Sequence, residues 1–426
     1  MFKNLKQIFT PKNKQLRQKI LFTLIILFIF RIGTDIRVPG TESITSDLGF
    51  LELLNVLGGG ALKKFSVFAL GVMPYINVSI IIQILSMDIL PYFSNLAKEG
   101  NTGRQKINKI TRYVGIAFAF VYAITYSYMF LGNDISMFDH IKISLILTAG
   151  TAFLLWLGDR ITQKGIGNGI SLIIMTGIVS RLPNMVVDAF NTFVEIGTAQ
   201  STSLGVVKFI IFLLFYVAII VGVVFVQESE RRIPIQYSNR TTSSYGAQQT
   251  YIPFRLNSAN VMPVIFASSI VSIIVFLTKI IKSNAFALFV NKYLTYSSVS
   301  GFILYVVLIF LFTYIYTFAQ LNPKELSEKL NKDGGYIPGI RPGTETKVYI
   351  KDILAKITFV GAVFLVVIAG LPIFISNFSA LPSSITLGGT GLLIVVGVSL
   401  ETYRQIESTI SANQYGKGYR RIWLKI

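Results

Sequence analysis

Apolar residues dominate this chain in long runs separated by short polar segments. Runs near the ~20 residues needed to cross a bilayer fall at 20–39, 74–92, 113–131, 141–157, 169–187, 207–227, 261–281, 300–320, 353–375 and 388–406. These predict ten membrane-spanning helices and an all-α, polytopic membrane fold. One stretch breaks the pattern. It opens with Gly58, Gly59 and Gly60, carries Lys63 and Lys64, and reaches Pro74 before the next apolar run. Two readings fit it: a re-entrant segment buried in protein or lining a wet cavity, or an interfacial helix whose lysines snorkel to water.

Composition supports the membrane assignment. Hydrophobic residues make up 52% of the chain and charged residues 14%. The net charge of +19 sits between the apolar runs, so it reads as topology before it reads as nucleic-acid binding. With an even number of spans both termini share a side. The cations of that side (Lys3 to Lys19, Lys98 to Arg112, Arg160 and Lys164, Arg231 to Arg255, Lys324 to Lys351, and the tail from Arg404) outnumber those opposite, which predicts cytoplasmic termini. The basic N-terminus followed by an apolar run lacks a small-residue cleavage pattern, so it is read as the first span.

Candidate chemistry is sparse. The chain has no cysteine and one histidine, His140, which removes thiolate nucleophiles, Cys-based metal sites, His-Glu zinc motifs and Ser-His triads. Ionisable residues within spans cluster near the predicted ends; Arg31 is the exception, with Asp35 four residues on and on the same helical face. That Arg either snorkels and pairs with Asp35 or serves a function. The string Lys164-Gly-Ile-Gly-Asn-Gly169 matches no phosphate loop or dinucleotide fingerprint. It predicts a tight turn, with Asn168 capping the next helix. Two long connections, 228–260 and 321–352, are polar, basic and interrupted by Gly or Pro, and are candidate docking surfaces. Two halves of five spans would be related by inversion. A secondary transporter for a small solute shares that arrangement, although it would need ion-coordinating groups at the midplane.

Several strings occur together and in order: Arg31-Ile-Gly with Pro39-Gly40, the Gly58 to Ile76 stretch, Gly165-Ile-Gly-Asn-Gly-Ile-Ser-Leu-Ile-Ile174, Arg231-Arg-Ile-Pro-Ile-Gln236, Pro263-Val-Ile-Phe-Ala-Ser-Ser269, Asn322-Pro323, Gly335 to Gly343, and Gly388-Gly-Thr-Gly-Leu-Leu-Ile-Val-Val396. Over essentially the whole chain this set resembles the SecY family, the channel subunits of the bacterial protein translocase. The resemblance implies ten transmembrane helices in two pseudo-symmetric five-helix halves around a central hourglass pore. The division would be a basic segment 1–19, an N-terminal half 20–190 with a plug at 55–70, an external hinge 191–206, a C-terminal half 207–406 and a cytoplasmic tail 407–426. The function implied is a non-enzymatic, protein-conducting channel in the cytoplasmic membrane of a bacterium. It would pass unfolded polypeptides across and release apolar segments sideways into lipid.

Carried over residue by residue, the resemblance puts Val72, Ile76, Ile170, Ile174, Ile265 and Ile394 in an aliphatic pore ring. Such a ring can dewet and seal while offering a passing chain no fixed hydrogen bonds. Gly58, Gly59, Gly60, Ala61, Leu62, Lys63, Lys64 and Phe65 would form the plug. Asn77, Gln83, Ser268, Ser269 and Ser272 would lie on the two helices of a lateral gate; polar residues within spans are also ordinary helix glue. Arg231, Arg232, Arg240 and Arg341 would dock cytoplasmic partners. The partners implied are SecE and SecG subunits, the SecA ATPase, a translating ribosome, signal sequences and unfolded preproteins, membrane lipid, and auxiliary insertase and SecDF-type subunits; no cofactor is implied. One departure is the neutral tip Thr241-Thr-Ser-Ser-Tyr245, where the family often carries a basic one, so ribosome contact through this tip is not implied.

Overall fold

The computed structural model describes residues 13–41, 52–86, 90–132, 135–194, 199–237, 250–281, 284–294, 298–379 and 388–423. The chain packs into two compact units, Met1–Thr192 with Ser383–Ile426, and Phe193–Pro382.

The first unit contains helices α1 (Lys14–Gly33), α2 (Glu52–Leu57), α3 (Met73–Leu85), α4 (Pro91–Lys98), α5 (Asn101–Leu131), α6 (Met137–Lys164), α7 (Gly169–Phe193) and, from the end of the chain, α14 (Gly388–Trp423). The last helix is grouped with the first. Leu16, Ile166 and Ile410 form a buried cluster that ties α1 and the α6–α7 turn to α14. That turn is as tight as its glycines suggest. Gly167 is left-handed (φ +85°), and its N–H donates to Gln405 Oε1 at 2.7 Å. Asn168 Oδ1 accepts from the N–H groups of Ile170 (3.2 Å) and Ser171 (3.4 Å), the cap expected of it.

Two expected spans are corrected. The run 20–39 is helical only to Gly33, and residues 36–38 run extended: Val38 N–H donates to Phe65 O at 3.0 Å and Val67 N–H to Ile36 O at 2.9 Å. The run 74–92 is not one helix. α3 ends at Leu85 after 13 residues, ~20 Å long, and Pro91, which has no N–H to continue a helix, opens the separate α4.

The second unit contains α8 (Ala199–Glu228), α9 (Met262–Ile280), α10 (Asn284–Tyr293), α11 (Val299–Gln320), α12 (Pro323–Lys332) and α13 (Thr344–Ser379), with strands β1 (Glu230–Tyr237), β2 (Thr250–Arg255) and β3 (Gly335–Tyr336). The strands add a small sheet to a mostly helical fold. They form one antiparallel sheet in the order β2-β1-β3, with Ile233 opposite Ile252 and Gln236 opposite Tyr336. α8 leaves Leu204, Ile210, Leu214, Val217 and Phe225 exposed around its surface, as a helix solvated by lipid does.

Among the described residues six helices are long and apolar enough to cross a membrane: Asn101–Leu131, Met137–Lys164, Gly169–Phe193, Ser203–Glu228, Val299–Lys332 and Thr344–Leu371. Met73–Leu85 and Met262–Val271 are shorter apolar helices.

Candidate functional site

The glycine-led stretch after α2 is neither a span nor an interfacial helix; it is a compact series of turns packed inside the first unit. Gly59 (φ +71°) and Gly60 (φ +86°) take left-handed conformations that a side chain resists, and so does Phe65 (φ +46°), which has a side chain. Asn55, fully buried, organises the turns: its carbonyl accepts from Gly60 N–H at 2.7 Å and its Oδ1 from Lys63 N–H at 3.0 Å. Ala61, Leu62 and Phe65 are buried, while Lys63 is exposed. Lys64 pairs with Asp35, which also pairs with Arg31 at 3.5 Å. The Arg31–Asp35 pair expected from spacing is thus present, extended by a lysine from the turns.

Three walls hold the stretch. On α6, the Val67 carbonyl lies against Gly150 so closely that any Cβ there would collide with it, and Thr151 Oγ1 donates to Gly71 O at 3.2 Å. On α7, a Cβ at Gly177 would come within 2.6 Å of Leu57 O and 3.0 Å of Gly59 N. On the third side Phe68 stacks between Phe30 of α1 (6.1 Å) and Phe153 of α6 (6.2 Å), and Phe153 stacks on Trp156. Sequence reasoning missed these contacts; the signal for them was a glycine inside an otherwise apolar helix, at 150 and at 177.

Five of the six residues expected to form the ring belong to the first unit. Val72 and Ile76 flank the start of α3, with Pro74 in its first turn, as expected. Ile170 and Ile174 lie on α7, and Ile394 on α14. Spacings of four, three and four put Ile170, Ile174, Gly177 and Arg181 on one stripe of α7. α14 crosses α7 here: a Cβ at Gly391 would stand 3.0 Å from Ile178, and Ser399 Oγ lies 3.5 Å from Met175 Sδ. The stripe with Ile170 and Ile174 therefore continues directly into the residues that seat the glycine-led turns. Val72, Ile76, Ile174 and Ile394 are buried, and Ile170 is half-buried. Ile265, also buried, is on α9 in the second unit.

Two of the gate candidates, Asn77 and Ser268, have partners inside their own units. Asn77 Nδ2 donates to Tyr122 of α5 at 3.1 Å, while its Oδ1 is buried without a hydrogen bond. Ser268 Oγ donates to Val264 O at 2.8 Å and lies 3.3 Å from Tyr305 Oη of α11. Ser269 Oγ is buried with no hydrogen bond, and Gln83 is half-buried. The Ser272 side chain lies outside the described residues.

The two long connections fold into one platform. Ile233, Ile235 and Phe254 of the sheet pack with Leu330, Ile337, Ile350 and Leu354 into a buried cluster. Strand alternation turns Arg232, Pro234 and Gln236 outward, and Arg231 is exposed as well. Arg232 is held by Glu230 at 2.7 Å and lies over the Tyr251 ring at 4.8 Å. Arg341 is exposed in the turn between β3 and α13. Arg240 and the neutral tip lie outside the described residues.

The comparisons with known proteins agree with one another. The SecY family model matches residues 66–403. The chain is 45% identical over 421 residues to the protein translocase subunit SecY of Staphylococcus aureus, covering 96% of this chain and 97% of that one. It superimposes on a solved SecY whose plug domain is described as stabilising the closed state of the translocation channel and maintaining a membrane seal (TM-score 0.66, 17% identity, 93% of each chain). It also matches Sec61 from a canine ribosome–channel complex of the endoplasmic reticulum (TM-score 0.63, 16% identity, 93% of each chain). At these identities the two structures speak to fold.

Proposed function

The chain belongs to the SecY family, and from that premise we propose that it is the protein-conducting channel subunit of a bacterial translocase, with residues 58–71 as the plug of the resting pore. It is a channel, not an enzyme. The observation that carries the plug assignment is the single α7 stripe on which Ile170 and Ile174 are followed by Gly177, the seat of the glycine-led turns. A ring of short aliphatic side chains dewets, and a buried, apolar, compact stretch beside it completes a seal against ions.

In this reading Val72, Ile76, Ile170, Ile174, Ile265 and Ile394 form the constriction of a ten-span channel built from two five-helix halves. The sideways exit runs between α3 and α9. A seam closed by a few polar groups can be parted by an apolar signal segment. Both termini and the sheet platform face the cytoplasm. There Arg231, Arg232, Arg240 and Arg341 meet the SecA ATPase or a translating ribosome, while SecE and SecG complete the membrane complex. The work of transport comes from these partners.

The absence of cysteine makes the test direct. A single Cys at Ile76 or Ile174 is expected to crosslink to the mature region of a secretory precursor stalled in the assembled channel. A Cys on the exposed side of α8, at Leu214, should not. No crosslink from any ring position, with a productive control elsewhere in the channel, defeats the pore assignment.

A further inference from the structure

Arg341 is launched from a turn that its own sequence leaves loose. Gly339 (φ +79°) and Gly343 (φ +100°) bracket it in left-handed conformations, and glycine allows many others. Pro342 restrains Arg341 itself to extended backbone. On its N-terminal side Ile340 N–H donates to Ile337 O at 3.1 Å and Ile340 packs on the platform cluster, but no residue of the turn itself holds the carbonyls on either side of Pro342. Two buried hydroxyls from outside the turn do so. Thr346, 2% exposed in the first turn of α13, donates from Oγ1 to the Arg341 carbonyl at 2.8 Å. Ser327, 4% exposed on α12, donates from Oγ to the Gly343 carbonyl at 2.8 Å, and that carbonyl also accepts from Lys347 N–H at 3.1 Å. The carbonyls on both sides of Pro342 are thereby tied to two different helices. Both helices belong to the apolar cluster through Leu330, Ile350 and Leu354, so the ties lead to a rigid base.

We infer that Thr346 and Ser327 are positioning residues for Arg341, holding its backbone so that the guanidinium meets an acidic protein surface on the cytoplasmic motor. This rests on the docking role proposed above for Arg341. A protein partner fits better than RNA. The surroundings of the turn mix Glu325, Glu328, Asp333 and Glu345 with lysines, whereas phosphate backbones are met by clusters of a single positive sign. Pre-organisation matters because a long side chain leaving a mobile turn loses more freedom on binding, and that loss appears as weaker association.

The test uses the complete channel complex in proteoliposomes, purified motor ATPase, ATP and a secretory precursor, with translocation rate followed against motor concentration. Thr346→Val keeps the shape and removes the donor; Ser327→Ala removes the other. Each is expected to raise the half-saturating motor concentration about fivefold, the worth of one hydrogen bond, and to leave the maximal rate unchanged. Thr346→Ser should restore wild-type behaviour, and Arg341→Ala should shift the curve further than either. Wild-type curves for Thr346→Val and Ser327→Ala beside an impaired Arg341→Ala overturn the positioning role and leave the docking role standing. A wild-type curve for Arg341→Ala overturns the docking role itself. A fall in maximal rate at unchanged half-saturation, or no rescue by Thr346→Ser, marks a folding defect and also overturns the inference. So does weakened ribosome binding with motor affinity untouched.

Discussion

The glycine-led stretch at 58–71, the proposed plug, and the sheet platform are both irregular insertions between helices, yet they are held by different means. The platform has a six-pair strand ladder, β1 against β2, and a cluster of seven buried apolar side chains. The plug stretch has no ladder. Two backbone hydrogen bonds join it to residues 36–38, glycines at 150 and 177 let its backbone approach α6 and α7, and an exposed ion pair links Lys64 to Asp35. It also stores a left-handed Phe65, at a cost of about 1–2 kcal/mol. An element seated by shape and by a few directional contacts can leave as a body without unfolding its neighbours. An element joined to its neighbours by a six-pair ladder as well as a shared core cannot. The comparison thus locates where motion costs little, at the proposed seal, and where rigidity is built, at the proposed docking face.

The contrast is most strongly tested from the rigid side. Leu354, fully buried, contributes to the platform core, and Leu354→Ala should remove about 2–5 kcal/mol of packing. Limited proteolysis should then cut between 228 and 260 and motor-driven translocation should fall, while resting ion conductance stays at the wild-type level. A leak in this variant would erase the distinction between the two regions. From the mobile side, Gly150→Val drives a branched side chain into the Val67 carbonyl. Overpacking of about 1–3 kcal/mol should raise the resting conductance of planar bilayers roughly tenfold, with translocation preserved. The smallest effect belongs to the ion pair. Both Asp35 and Lys64 are more than two-fifths exposed, so Asp35→Asn should weaken the seat by at most about 1 kcal/mol. The slight extra leak should vanish against wild type at ~1 M salt, where such pairs are screened.

Features set by neighbouring residues were legible in the sequence. Apolar runs marked helices, Asn168 after a glycine turn marked a cap, Pro74 marked a helix start, and the four-residue spacing of Arg31 and Asp35 marked an ion pair. What escaped depends on residues far apart in the chain. The β1–β3 pairing joins Gln236 to Tyr336, and a glycine-and-proline-rich connection gives no local sign of a partner 100 residues away. The close approaches at Gly150 and Gly177 escaped for the same reason, since a glycine in an apolar helix does not say which backbone it admits. The end of the 20–39 run misled because Ile36 and Val38 are apolar for a different purpose: they line an extended segment paired with residues 65–67. The ring positions came from family resemblance, and single isoleucines in apolar helices carry no such message alone.

The central claim is that residues 58–71 close the resting pore beside the α7 stripe. The most direct measurement is the ion conductance of planar bilayers holding the complete channel complex, with and without residues 58–68, when no polypeptide is in transit. The account predicts that the shortened channel inserts normally and passes ions at rest while the full-length channel stays sealed. Equal, sealed conductance from both would contradict it.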